Sequence, residues 1–94
     1  ILVCADPALE KHPGMWVQDC AAATQNILLA AHELGLGGVW LGSYPRPERM
    51  DGFRKLLKLP AGVIPFAMIA LGYPAQSPEA PDRFNPDRIH RNRW

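Results

Sequence analysis

Two cysteines in 94 residues are too few for a disulfide scaffold. Cys4 lies in a strand-like run and Cys20 in an apolar helix-like one, which is the setting of buried free thiols. His12, His32 and His90 stand at no ligand-like spacing from either cysteine, so no metal site is expected. An excess of charge of one sign is also missing. Ten lysines and arginines stand against nine acids, a net charge of +1, which gives no general basis for attraction to nucleic acid or a membrane surface. No apolar run reaches the roughly 18 residues of a membrane span. No signal peptide is visible either, and a cytoplasmic location is expected. Nothing resembles a nucleophile with its base, and no paired carboxylates stand out. No catalytic side chain is therefore assigned, and any redox or group-transfer chemistry would belong to a cofactor.

What is present is organised around Trp16 to Gly42, WVQDCAAATQNILLAAHELGLGGVWLG. Apolar or small residues at Cys20, Ala23, Ile27, Ala30, Ala31 and Leu34 recur at the spacing of a helix face. Asp19 and Glu33 are the only charged residues of that helix. A helix apolar nearly all round is buried on more than one side, and a chain this short has only a modest core. The helix is expected to pack against something outside the sequence. Gly35 sits where a left-handed C-terminal cap belongs, with Leu36 as its apolar contact. Gly38 to Gly42 reads as a short strand.

Around this stretch, Ile1 to Ala5 reads as a strand buried on both faces, ended by Asp6-Pro7 and followed by a loop to Gly14. The start without methionine, inside a strand-like run, leads to the expectation that residues 1–94 are the carboxy-terminal part of a larger single domain. Ser43-Tyr44-Pro45 leads to a second helix with Pro47 near its first position. That helix carries Met50, Phe53, Leu56 and Leu57 inward and Glu48, Arg49, Asp51, Arg54, Lys55 and Lys58 outward, and Leu59-Pro60 stops it. Val63 to Leu71 reads as a central strand in which Pro65 forces a bulge or a late start. Residues 75–94 form an extended arm with Arg83, Arg88, Arg91 and Arg93 interspersed with Phe84, Ile89 and Trp94. About twenty residues without regular structure are costly inside a compact domain, so the arm is expected to dock on another surface. Strand, helix, strand, helix, strand argues for an α/β or α+β layer.

The glycine string has the wrong order for a dinucleotide fingerprint, because here the glycines close a helix and precede a strand. A helix cap and turn is the local reading, and Gly42-Ser43 at the strand exit can bring backbone N–H groups to a ligand. The arginine tail reads as a weak nucleic-acid signal, as a solvated tail, or as the source of one arginine aimed at a phosphate or carboxylate.

Taken together, WVQDCAAATQNILLAAHELGLGGVWLG, the following YP, LLKLP, IPFAMIALGYPA and DRFNPDRIHRNRW resemble the carboxy-terminal half of the nitroreductase family. The resemblance implies an α+β sandwich, a mostly antiparallel mixed sheet flanked by helices, in an intertwined homodimer. It implies flavin mononucleotide (FMN) as cofactor, NAD(P)H as electron donor, and a nitroaromatic, quinone or similar small-molecule acceptor. The long helix resembles the dimer-interface helix, and the terminal arm resembles the one that crosses onto the partner. Trp40, Leu41 and Gly42 match the segment whose backbone approaches the flavin, and Arg83 matches the residue that reaches the flavin phosphate. The family's arginine- and serine-containing phosphate motif lies nearer its amino terminus and is absent from these residues. At most half the flavin site is expected here, with weak or no FMN binding by this stretch alone. A non-catalytic flavin- or small-ligand-binding module that kept the fold is the alternative.

Overall fold

The computed structural model describes all residues, Ile1–Trp94. Its elements in chain order are β1 (Leu2–Ala5), α1 (Trp16–Glu33), β2 (Gly37–Gly42), α2 (Pro47–Leu57) and β3 (Ile64–Gly72). Single 3-10 turns at Pro7–Leu9 and Pro86–Arg88 interrupt the first loop and the arm. The sheet has three strands in the order β1-β3-β2, so β3 is central, as its nearly continuous apolar sequence predicts. Both pairings are antiparallel. Within these residues the sheet is therefore purely antiparallel rather than mixed.

Pro65 brings a bulge rather than a late start. Val3 pairs with Ala67 and Cys4 with Pro65, so Phe66 is an extra residue on β3 that no β1 residue opposes. A proline has no N–H for the ladder, and a bulge is where a sheet tolerates one. The expectation of a β1 buried on both faces is corrected. β1 is an edge strand, and of its residues only Ala5 is buried.

Helix α1 crosses one face of the sheet and contacts all three strands. Its inward face is Cys20, Thr24 and Ala31, with Trp16, Val17 and Ala21 packed on a core of Ala5, Cys20, Phe66 and Ala67. Of the residues that share the apolar spacing, Ala23, Ala30 and Leu34 are exposed within this chain. Thr24 takes an inner place although it carries a hydroxyl. It does so by donating to the Cys20 carbonyl one turn back at 2.7 Å, which satisfies the buried oxygen. Gly35 is left-handed (φ +71°), and the Leu36 N–H closes on Ala31 O at 2.8 Å, the Schellman ending expected. Helix α2 stops one residue earlier than Leu59-Pro60 would stop it, because Lys58 itself turns left-handed.

Only 9 of 94 residues are buried, while Met15, Leu29 and Leu34 expose 47%, 58% and 73% on or beside the outer side of α1. The radius of gyration, 16.6 Å, exceeds the roughly 12 Å of a compact chain of this length. The excess reflects the arm, which is exposed throughout.

The start of α1 has no capping side chain at Met15. Glu10 does that work from the loop, accepting the Trp16 N–H at 3.0 Å. That hydrogen bond holds the Glu10 carboxyl below its usual range; the Gly14 and Met15 amides and His12 act in the same direction, and desolvation opposes them. A depressed carboxylate stabilises the fold above its unfolded pKa and loses that contribution as pH falls through its folded pKa. Glu10→Ala should therefore lower Tm at neutral pH, and the gap to wild type should close as pH drops below about 4.5. Thermal melts across pH check this; a gap that widened on acidification would contradict it.

Candidate functional site

The strand exit is built around Phe66. Its carbonyl accepts both the Ser43 N–H (3.1 Å) and the Tyr44 N–H (2.9 Å). Its ring meets Trp16 at 6.2 Å, Trp40 at 6.0 Å and Tyr44 at 6.3 Å, and Trp16 also packs edge-on to Tyr44 at 4.8 Å. Such aromatic pairs contribute about 0.5–1.5 kcal/mol each beyond area burial. They tie the first turn of α1, the bulge of β3 and the end of β2 into one body. The Ser43 hydroxyl is fully buried there and has no hydrogen-bond partner within the chain.

This arrangement corrects one expectation. The Ser43 N–H is consumed internally and cannot serve a ligand. The donors that remain follow from ladder parity. Ser43 bonds to Phe66 in the same register that pairs Gly42 with Ala67, Leu41 with Met68 and Trp40 with Ile69. Bonded and non-bonded pairs alternate in an antiparallel ladder. Leu41 and Val39 therefore direct their backbone groups at β3, while Gly38, Trp40 and Gly42 direct theirs to the open edge. The other side of β3 agrees, since Ile69 exchanges both its bonds with Ile1.

Trp40, Leu41 and Gly42 are thus brought together, in different roles. The Trp40 ring lies on the α1 side, 37% exposed. Leu41 faces the other way, into a hollow of about 610 Å³ that it shares with Gly42, Arg49, Gly52, Phe53 and Leu56. A Cβ placed on Gly42 would meet nothing within 4 Å, so the sheet face at the strand exit is open. Arg49, on the solvent face of α2 as expected, donates from Nη1 to the Gly42 carbonyl at 2.8 Å. Arg83 is exposed on the arm, outside this hollow, and its side chain makes no hydrogen bond or ion pair within the chain.

A second hollow of about 550 Å³, between the first loop and α1, mixes Asp6, Glu10, Lys11, His12 and Asp19 with Leu9, Met15 and Trp16. No group of three His, Cys, Asp or Glu side chains is placed to hold a metal ion. Cys4 and Cys20 are free thiols. Burial pushes both above the usual thiol range, with Asp19 adding to the effect on Cys20. They are poor nucleophiles in this state.

Arg49 and Phe66 escape sequence reasoning. A signal did exist for Arg49: an arginine in the first turn of a helix opened by Pro47, directly after the strand exit.

The nitroreductase family model matches residues 6–73, and the chain belongs to the nitroreductase family. It is 60% identical, over its whole length, to a Methanothermobacter thermautotrophicus protein named "Putative NADH dehydrogenase/NAD(P)H nitroreductase", covering 49% of that protein. It is 38% identical over 98% of its length to an oxygen-insensitive NADPH nitroreductase of Salmonella typhimurium, covering 39% of it. An FMN-dependent nitroreductase structure from Clostridium difficile superposes over 99% of the chain and 56% of its own, with TM-score 0.87 at 26% identity. The chain spans about half the length, or less, of the curated relatives it matches.

Gly38 lies close to α1. A Cβ there would lie 2.9 Å from Leu28 Cδ2 and 3.0 Å from Leu71 Cδ2, both ends of flexible side chains. Because these ends can turn aside, Gly38→Ala should cost no more than about 1 kcal/mol. Denaturant unfolding measures this, and a loss of several kcal/mol would show that α1 cannot give over β2.

Proposed function

We propose that this chain forms part of an FMN-dependent oxidoreductase that passes electrons from NAD(P)H to a nitroaromatic, quinone or similar small-molecule acceptor. The observation that carries the reading is the open edge at Gly42, a free N–H with no side chain before it, in a chain of the nitroreductase family. When bound, the flavin would supply the two-electron transfer between donor and acceptor. The chain's own contribution is binding and orientation. The Gly42 and Trp40 N–H groups would donate to the edge of the flavin ring, and the Trp40 side chain would flank it. Arg83, a forked cation with no internal partner, would reach the flavin phosphate. Such a charged hydrogen bond is worth about 1.5–3 kcal/mol. The residues present fit an FMN ring on one edge only; they do not enclose it.

The partner we propose is a second copy of the chain. The outer side of α1 exposes Leu29, Ala30 and Leu34 in a helix with almost no charge, and the exposed arm carries Phe84, Ile89 and Trp94. Large apolar side chains in this arrangement fit a partner's surface better than water.

FMN titrated into the native gene product should give the absorbance of bound flavin. Gly42→Pro removes the edge N–H but no ladder bond, and it should weaken FMN binding by about tenfold or more. Arg83→Ala should weaken it by a similar factor, the equivalent of about 1.5 kcal/mol. Unchanged affinity in either variant would remove that residue from the site. Ala30→Arg should place a charge in an apolar contact and dissociate the dimer. Light scattering that still showed a dimer would put the contact on another face.

A further inference from the structure

Arg49 is anomalous as a surface residue. It stands in the first turn of α2, where the helix dipole favours acids such as Glu48 and disfavours cations. It has no carboxylate partner, since the one ion pair in the chain joins Arg54 to Asp51. Helix stability therefore does not explain its place. Its single side-chain hydrogen bond, Nη1 to the Gly42 carbonyl at 2.8 Å, does.

A residue on a strand edge presents its N–H and its C=O on the same side. Beside the Gly42 N–H there is thus a carbonyl oxygen that would repel any electron-rich atom coming to that N–H. The guanidinium covers this oxygen. One donor is spent on it, and the remaining donors of the fork and the whole positive charge stay beside the edge. Hydrogen-bonding to the Gly42 carbonyl also pins a peptide that glycine would leave soft. The other end of that peptide is pinned by the Ser43 N–H on Phe66.

We propose that Arg49 is a positioning residue for the flavin edge: it masks the Gly42 carbonyl and leaves an unpaired positive charge where the ring gains electron density. The proposal rests on the reading of the Gly42 edge as the flavin-facing one. It predicts that Arg49 raises the flavin's reduction potential, an effect that simple tethering of α2 would not produce.

The test uses the native gene product loaded with FMN, in wild type, Arg49→Gln, Arg49→Lys and Gly42→Pro forms. FMN affinity is read by fluorescence, midpoint potential by equilibration with a reference dye, and Tm on the flavin-free protein. Arg49→Gln should shift the potential to more negative values and weaken FMN binding about tenfold. Arg49→Lys, which keeps the charge, should restore most of the potential. If Arg49→Gln does not fold, Arg49→Ala takes its place with the same expectation. A lowered Tm with unchanged potential would overturn the proposal and leave Arg49 a structural tether. If Gly42→Pro weakens FMN binding while the Arg49 variants leave the potential unmoved, the Arg49 proposal fails alone. If Gly42→Pro also has no effect, the reading of the edge fails with it.

Discussion

The bulge at Phe66 is the constraint on which the rest of this structure depends. Phe66, the extra residue on the central strand beside Pro65, takes two amides from the end of β2 on its carbonyl. Its ring gathers Trp16, Trp40 and Tyr44 around the same point. The register of β2 on β3 follows from that anchor, and register decides which backbone groups a strand shows to the outside. With Ser43 bonded to Phe66, it is Gly42 and Trp40 that face the open edge, and Leu41 that does not. A slip of one residue would reverse this and turn Leu41 into the α1 face.

The same anchor joins fold to chemistry. Trp16 opens α1, and its N–H is held by Glu10 from the preceding loop. The end of the longest helix and the rim of the candidate site are therefore one packed unit. What the unit lacks is cover. Nine buried residues are few for this length, and the apolar outer side of α1, the hollow beside Leu41 and the exposed arm all face outward. A homodimer built on α1 and the arm is the arrangement proposed to cover them.

Much of this could be read from the residues in order. Gly35 as a left-handed cap, Pro47 at the start of α2, a central β3 and a bulge or late start at Pro65 each rest on a local rule about one residue's backbone. The readings that failed concern what lies across space. Periodicity marked α1 as apolar but could not say which stripe faced the sheet, because alanines are cheap on either side, and it missed Thr24, whose hydroxyl is satisfied within its own helix. The same holds at the site. The resemblance to a family points to the segment Trp40-Leu41-Gly42. Which of its amides are free depends on pairing with a strand some twenty-five residues later. Arg49 looked like one more charge on a surface helix until its bond to Gly42 was seen.

Residue-resolved amide hydrogen exchange on the native gene product, with and without FMN, tests the central claim most directly. Without FMN, the Leu41 amide should exchange slowly and those of Trp40 and Gly42 quickly. Added FMN should slow Gly42, and Trp40 beside it, while leaving Leu41 unchanged. If Leu41 exchanged as fast as its neighbours, or if FMN left Gly42 untouched, the proposed edge would not be the one that meets the flavin.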